Sequence, residues 1–284
     1  MTRRARLTLD AAELERLHPE LVRPGLARWL PTLGVISLMI FMIIVGLIQI
    51  EFDPIRVFYG MGELGLMIGL MLPPDPGSLS KLVIYLHALG ETLAISFLGT
   101  LGAAIIAFPL GFMAARNVMP SWLVRMFLRR SMDTLRGIET LIWALIWVNV
   151  VGLGPFAGVL AILTSDIGSF VKLFSEAIET ADRKPVEGVL SSGGAKLQSV
   201  RFGLIPQVLP IMASQVLYFF ESNTRSATII GIVGAGGIGL HLFEQIRTLE
   251  WESVSFIVLM ILVLVAIIDF FSAKLRFAII GKNR

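Results

Sequence analysis

The sequence predicts an all-α integral membrane protein with about six spanning helices, and three observations carry that prediction. Apolar residues (Ala, Val, Ile, Leu, Met, Phe, Trp, Tyr) fill 55% of the 284 positions, charged residues only 16%, and the mean hydropathy is +0.80. A soluble domain is about a quarter charged. Even a 300-residue chain leaves about a quarter of its unfolded surface in water, so folding alone cannot hide this much apolar surface. Apolar runs recur at about the 20-residue length a helix needs to cross a bilayer, and basic residues gather on alternate connections between them. A soluble globular protein, a disordered chain and a nucleic-acid binder are excluded, although the pI is near 9.4 and the formal charge +3.

Trp29 to Ile50 is the clearest span, without a charged residue. Tyr85 to Ala115 is interrupted only by His87, Glu91 and Pro109, which predicts tilt or a kink at the proline. Ile138 to Val151 is short, and starting it near Thr134 gives a workable third span. Gly152-Leu153-Gly154-Pro155 reads as a turn, after which Phe156 to Phe174 returns across. Gln207 to Val233 and Val254 to Phe271 complete the six. Between the first two spans, Gly60 to Leu72 is too short to cross and is expected to lie at the interface or re-enter.

Lys and Arg set the expected orientation. Twenty of the 24 fall in 1–28, 116–136, at Lys172, in 176–206 and in 274–284; three (Arg56, Lys81, Arg247) fall on the alternate connections, and Arg225 lies within a span. The excess marks the cytoplasmic side, so both termini are expected there. The expected organisation is a cytoplasmic tail over 1–28, with a short helix around Asp10 to Leu21, a membrane domain over 29–275, and a cytoplasmic end over 276–284. The tail carries six arginines and no apolar core, unlike a cleavable signal peptide.

The chemistry of a membrane enzyme is missing from this sequence. There is no cysteine, and His18, His87 and His241 lack metal-ligand spacing. No G-x-x-x-x-G-K-[ST] phosphate loop is present, and Gly193-Gly194-Ala195-Lys196 has the wrong spacing. Gly234-Ala235-Gly236-Gly237-Ile238-Gly239 formally matches G-x-G-x-x-G, but a dinucleotide site needs a strand before it, and here a span precedes. A turn allowing close helix approach is the better reading.

One connection is far longer than a turn between antiparallel helices requires. Glu176 to Pro210 (EAIETADRKPVEGVLSSGGAKLQSVRFGLIPQVLP) holds helix-forming runs, Pro185, a Gly193-Gly194 break and Pro206. It is expected to build short helices on the cytoplasmic side. Glu187 suits a helix N-terminal turn, Gly193 a tight bend, and Pro206 the opening of the next segment.

This stretch resembles the signature loop of the membrane subunits of bacterial ABC importers, E-A-A-x3-G-x9-I-x-L-P. Glu187-Gly188-Val189 stands at E-A-A, Gly193 at G, Gly203 at I, Ile205 at L and Pro206 at P. Glu, Gly and Pro match while both alanines, the isoleucine and the leucine are replaced. The wider wording, VEGVLSSGGAKLQSVRFGLIPQVLP with NTRSATIIGIVGAGGIG, resembles the phosphonate-importer permeases over about Tyr85 to Phe271. The resemblance implies a methionine-importer-like fold in a bacterial inner membrane, working as two copies of this chain. It implies two cytoplasmic ATPase subunits that bind ATP and Mg, and an extracytoplasmic solute-binding protein; this chain itself needs no cofactor. The loop 176–206 would dock on the ATPase through Glu187, Gly188, Gly193, Gly194, Ile205 and Pro206. The turn of Gly234, Gly236, Gly237 and Gly239 would border the outer gate.

Within the spans, Glu221-Ser222-Asn223-Thr224-Arg225-Ser226 is the most polar run. A charge at the bilayer centre costs about 2.5–3.5 kcal/mol and needs a partner or water. Arg225 either pairs with Glu221 one turn away, or with Asp166 or Glu91 from another helix, or it lines a passage for an anion with Ser222, Asn223, Thr224 and Ser226. Arginine's planar fork suits phosphate-like groups. His87 and Glu91 have the spacing of a proton relay but more simply pack near the start of the second span; Glu139 and Asp269 are expected near span ends. The rival function is an ion- or proton-coupled carrier using His87, Glu91, Asp166 and Arg225. It would show inverted repeats with matching broken helices, and none is visible.

Overall fold

The computed structural model describes residues 26–281, so the expected tail helix near Asp10 to Leu21, His18 and residues 282–284 lie outside the described residues. Among the described residues every regular element is helical. The chain divides into two compact units, Met1–Leu66 and Met67–Arg284.

In the first unit, α1 (Leu26–Gln49) contains the uncharged apolar run read from the sequence, and its Trp29–Gln49 stretch is long enough to span. It is followed by α2 (Pro54–Leu70), whose last residues enter the second unit. Asp53 opens α2 by accepting from the Ile55 N–H at 2.9 Å and the Arg56 N–H at 3.3 Å. The expected interfacial piece is therefore a capped 17-residue helix.

The second unit is a bundle around α3 (Leu79–Ala114) and α6 (Pro155–Thr180). Ser78 caps α3 by accepting from the Lys81 N–H at 3.2 Å, and the helix runs unbroken through Pro109. Its buried face repeats small residues every three or four positions: Ala88, Thr92, Ser96, Gly99, Ala103, Ala107 and Gly111. Such a stripe lets two helix backbones approach closely in a membrane. Any Cβ at Gly99 would lie 2.7 Å from the Ile162 side chain, and one at Gly111 2.8 Å from Phe174, both on α6. Apolar clusters fill the bundle along its length. Tyr85, Ala88 and Leu89 pack with Ile238 and Ile257; Ile95 packs with Ala161, Ile162, Ala227 and Ile230; Ala107 packs with Phe170, Phe174, Val208 and Met212.

The third span departs from its expected form. The basic connection 116–136 is mostly an amphipathic helix, α4 (Trp122–Arg136), followed after Gly137 by α5 (Thr140–Val151), with an 87° bend between them. A span starting near Thr134 is not formed, because Arg136 turns back to Asp133 at 3.1 Å, Gly137 ends α4 and Glu139 sits at the start of α5. Among the described residues five helices are long and apolar enough to cross, or six if the bent pair counts as one broken span.

After α6 come α7 (Arg183–Ser191), the single turn α8 (Lys196–Ser199), a π turn (Val200–Leu204) and α9 (Ile205–Gly231). Then follow α10 (Ile238–Arg247) and α11 (Trp251–Gly281). The last helix is ten residues longer at its end than the apolar run implied. Asp269 therefore lies well inside it rather than near its end, and Arg276 is helical.

Candidate coupling surface and membrane passage

The long connection is built around α7. Asp182 caps it, accepting from the Lys184 N–H at 3.1 Å. Glu187 is thus in the middle of α7 and not in its first turn as expected, because Asp182 supplies the capping oxygen four positions after Ile178. Gly193 has φ +85°, a left-handed conformation that other residues adopt at a cost of about 1–2 kcal/mol. It reverses the chain as expected, and the Gly194 N–H closes the turn on the Val189 carbonyl at 3.0 Å.

Two contacts fasten α7 to the base of α9. Gln207 donates to the Asp182 carbonyl at 3.1 Å and accepts from the Asp182 N–H at 3.1 Å. A Cβ at Gly203 would lie 2.8 Å from the Val186 Cα, so the glycine standing where the signature has isoleucine lets the α7 backbone press onto the π turn. Ile205 and Pro206 form the first turn of α9. The outer surface keeps Glu187, Gly188, Leu190, Leu197 and Phe202 exposed. Beside it, a cavity of about 590 Å³ is bounded by Arg116, Arg183, Lys196, Glu187 and Leu190.

Midway along α9 lies a buried polar network. The Asn223 amide donates to Asp166 Oδ2 at 2.5 Å and to Thr100 Oγ1 at 2.8 Å, tying α9 to α6 and α3. Thr224 donates to the Phe220 carbonyl at 2.9 Å and lies against Ser96. Asp166 thus meets Asn223, while Arg225 meets Glu221 at 3.6 Å, the neighbour one turn away. Glu221 has a closer partner that sequence reasoning missed: Arg276 of α11, at 2.9 Å. Arg225 is half exposed, Ser222 and Ser226 are partly exposed, and Asn223 and Thr224 are buried.

At the far end of α9, the glycine turn is packed against the bundle. Gly237 has φ +76° and donates to Glu91 Oε2 at 3.3 Å, and the Ile238 N–H donates to Thr92 Oγ1 at 2.9 Å. The Gly154 N–H reaches the Gly234 carbonyl at 2.9 Å. A Cβ at Gly231 would collide with the Gly236 carbonyl of the turn, and one at Gly239 with the Thr228 carbonyl of α9. A helix precedes the motif, so it is not a dinucleotide loop. His87 sits 3.4 Å from Glu91 and is largely exposed, while Glu91 accepts from the Gly237 N–H of the turn.

Residues 107–280 match the family of binding-protein-dependent transport system inner membrane components. The chain belongs to that family. This ABC permease is an inner-membrane component of a transport system, and the self-sufficient carrier reading falls with that assignment. The permease protein HtxC of Stutzerimonas stutzeri is 42% identical over 237 residues, 83% of this chain and 82% of its own length. Phosphite transport system permease protein PtxC of the same organism is 36% identical, covering 79% of this chain and 80% of its own. The phosphate-import permease protein PhnE of Mycolicibacterium smegmatis is 32% identical over 95% of this permease, which spans 49% of that longer protein. In fold, the permease matches the inward-facing MetNI methionine ABC transporter with a TM-score of 0.61 at 19% identity, over 71% of this chain and 99% of that one.

Proposed function

We propose that this permease imports phosphorus oxyanions (phosphonate, phosphite or phosphate) as a pair of identical copies with two cytoplasmic ATPase subunits and an extracytoplasmic solute-binding protein. ATP and Mg belong to the ATPase, and both termini are cytoplasmic, as the distribution of Lys and Arg supports. The substrate class is supported by the relatives named for phosphite and phosphate.

The observation that carries the mechanism is the continuity of α9. One 27-residue helix is fastened to α7 at its start, holds the polar run at its centre, and ends in the glycine turn clasped by Glu91, Thr92 and Gly154. ATP binding draws the ATPase pair together and moves α7, which docks through Glu187, Gly188, Gly193 and Gly194. Gln207 and Gly203 pass that displacement to α9 through Ile205 and Pro206. The helix tilts, the passage beside Ser222, Arg225 and Ser226 changes access, and the outer turn receives solute from the binding protein. Bond breaking stays on the partner.

Substrate choice is tested by uptake of labelled phosphite into vesicles holding the complex, with methylphosphonate, phosphate and sulfate as competitors. Competition by the phosphorus compounds and none by sulfate is expected. Uptake inhibited equally by sulfate would contradict the substrate assignment.

A further inference from the structure

We propose that Arg276 and Arg225 form a two-guanidinium site for the transported oxyanion, with Glu221 as the built-in counter-ion that occupies it between anions. The proposal rests on the passage reading above. Glu221 places Oε2 at 2.9 Å from Arg276 and Oε1 at 3.6 Å from Arg225, so each oxygen of one carboxylate faces a different guanidinium. Two oxygens of a tetrahedral phosphorus oxyanion can take the same positions, because guanidinium forks bind carboxylate and phosphate alike.

The cluster carries two positive charges and one negative. Among the described residues, neither arginine forms an ion pair with any other carboxylate. One carboxylate leaves one of the two positive charges unneutralised, and a bound oxyanion would balance it. In the single chain the Arg225 side chain is 49% exposed and Arg276 25%, whereas Glu221 is 10% exposed. The two arginines are also held unequally. Arg276 has the short ion pair and lies 5.8 Å over the Tyr218 ring, while Arg225 has only the longer contact. Arg276 is the fixed half of the site and Arg225 the half that swings to meet an arriving anion. Glu221 then displaces the anion and resets the site, which keeps binding weak enough for release. The site was hidden in the sequence because Arg276 stands 51 positions after Arg225, beyond the apolar run that appeared to end the last span.

The test compares Arg276→Gln, Arg276→Lys, Glu221→Gln and the double variant Arg276→Gln/Glu221→Gln in vesicles carrying the intact complex, measuring labelled phosphite uptake against concentration together with purified yield. The double variant removes the charges as a pair. It is expected to assemble at wild-type yield yet lose at least tenfold in uptake. Arg276→Lys keeps the charge but not the fork and is expected to fall between. Glu221→Gln alone, lacking the displacing carboxylate, is expected to lower both the maximal rate and the half-saturating concentration. Wild-type uptake in the double variant or in Arg276→Lys would reduce the pair to a structural salt bridge and overturn the site, as would loss of assembly in the double variant. Absence of phosphorus-oxyanion uptake by the wild-type complex would instead overturn the substrate reading, and this proposal with it.

Discussion

Asn223 joins three helices, and its loss should be measurable in the stability of the bundle. Its amide donates to Asp166 on α6 and Thr100 on α3, at 2.5 and 2.8 Å, and all three side chains are buried. Interhelical hydrogen bonds in membranes contribute about 0.6 kcal/mol on average and up to about 1.7. Asn223→Ala therefore forfeits about 1–3 kcal/mol in bonds, and the stranded Asp166 oxygen adds about 1–3 kcal/mol. The expected total is about 2–6 kcal/mol. Thr100→Val keeps the volume and removes one acceptor, costing about 1 kcal/mol. The assay is equilibrium unfolding of the purified permease in mixed micelles with increasing SDS, followed by tryptophan fluorescence. A double-mutant cycle between positions 100 and 223 should give a coupling of about 0.5–1.5 kcal/mol. Strict additivity, or Asn223→Ala within about 0.5 kcal/mol of wild type, would refute the argument that this network holds the helices.

Three further outcomes follow from the geometry. Gly236→Ala should cost about 2–5 kcal/mol in the same unfolding assay, from about 1–2 kcal/mol of left-handed strain at φ +80° and about 1–3 kcal/mol of overpacking where the new Cβ lies 2.7 Å from the Pro155 nitrogen. Gly193→Trp should leave the membrane bundle inserted but reduce ATPase co-purification and solute-stimulated ATP hydrolysis; normal values for both would remove Gly193 from the docking surface. In intact cells, an impermeant thiol reagent should label Thr248→Cys and spare Ser191→Cys, with no native cysteine to confuse the signal; labelling of Ser191→Cys alone would invert the topology.

The parts of the fold legible in the sequence were those governed by composition and local backbone demands. Uncharged runs gave the spans, Gly152 to Pro155 gave a turn, and Gly193 marked a reversal that needs positive φ. The broken third span was not legible, because the apolar content of Ile138 to Val151 does not register that Gly137 and the Arg136–Asp133 contact separate it from α4. The passage was half legible. Arg225 and Glu221 are neighbours on one helix, so periodicity brings them together. Arg276 reaches Glu221 through tertiary packing of α9 against α11, and Asp166 meets Asn223 through packing of α9 against α6. No spacing rule encodes either meeting. One local signal did exist: Thr92, Ser96 and Thr100 recur at every fourth position of α3, the face on which a transmembrane helix offers hydroxyls to its neighbours.

The central claim is that this permease moves oxyanions only with energy supplied by a partner. Its most direct measurement is phosphite uptake into proteoliposomes, with the permease alone or with its ATPase, each supplied with the loaded binding protein. Uptake is expected only where the ATPase and ATP are both present, and it should be insensitive to collapse of the proton gradient. Phosphite accumulation by the permease alone under an imposed proton gradient would contradict the account.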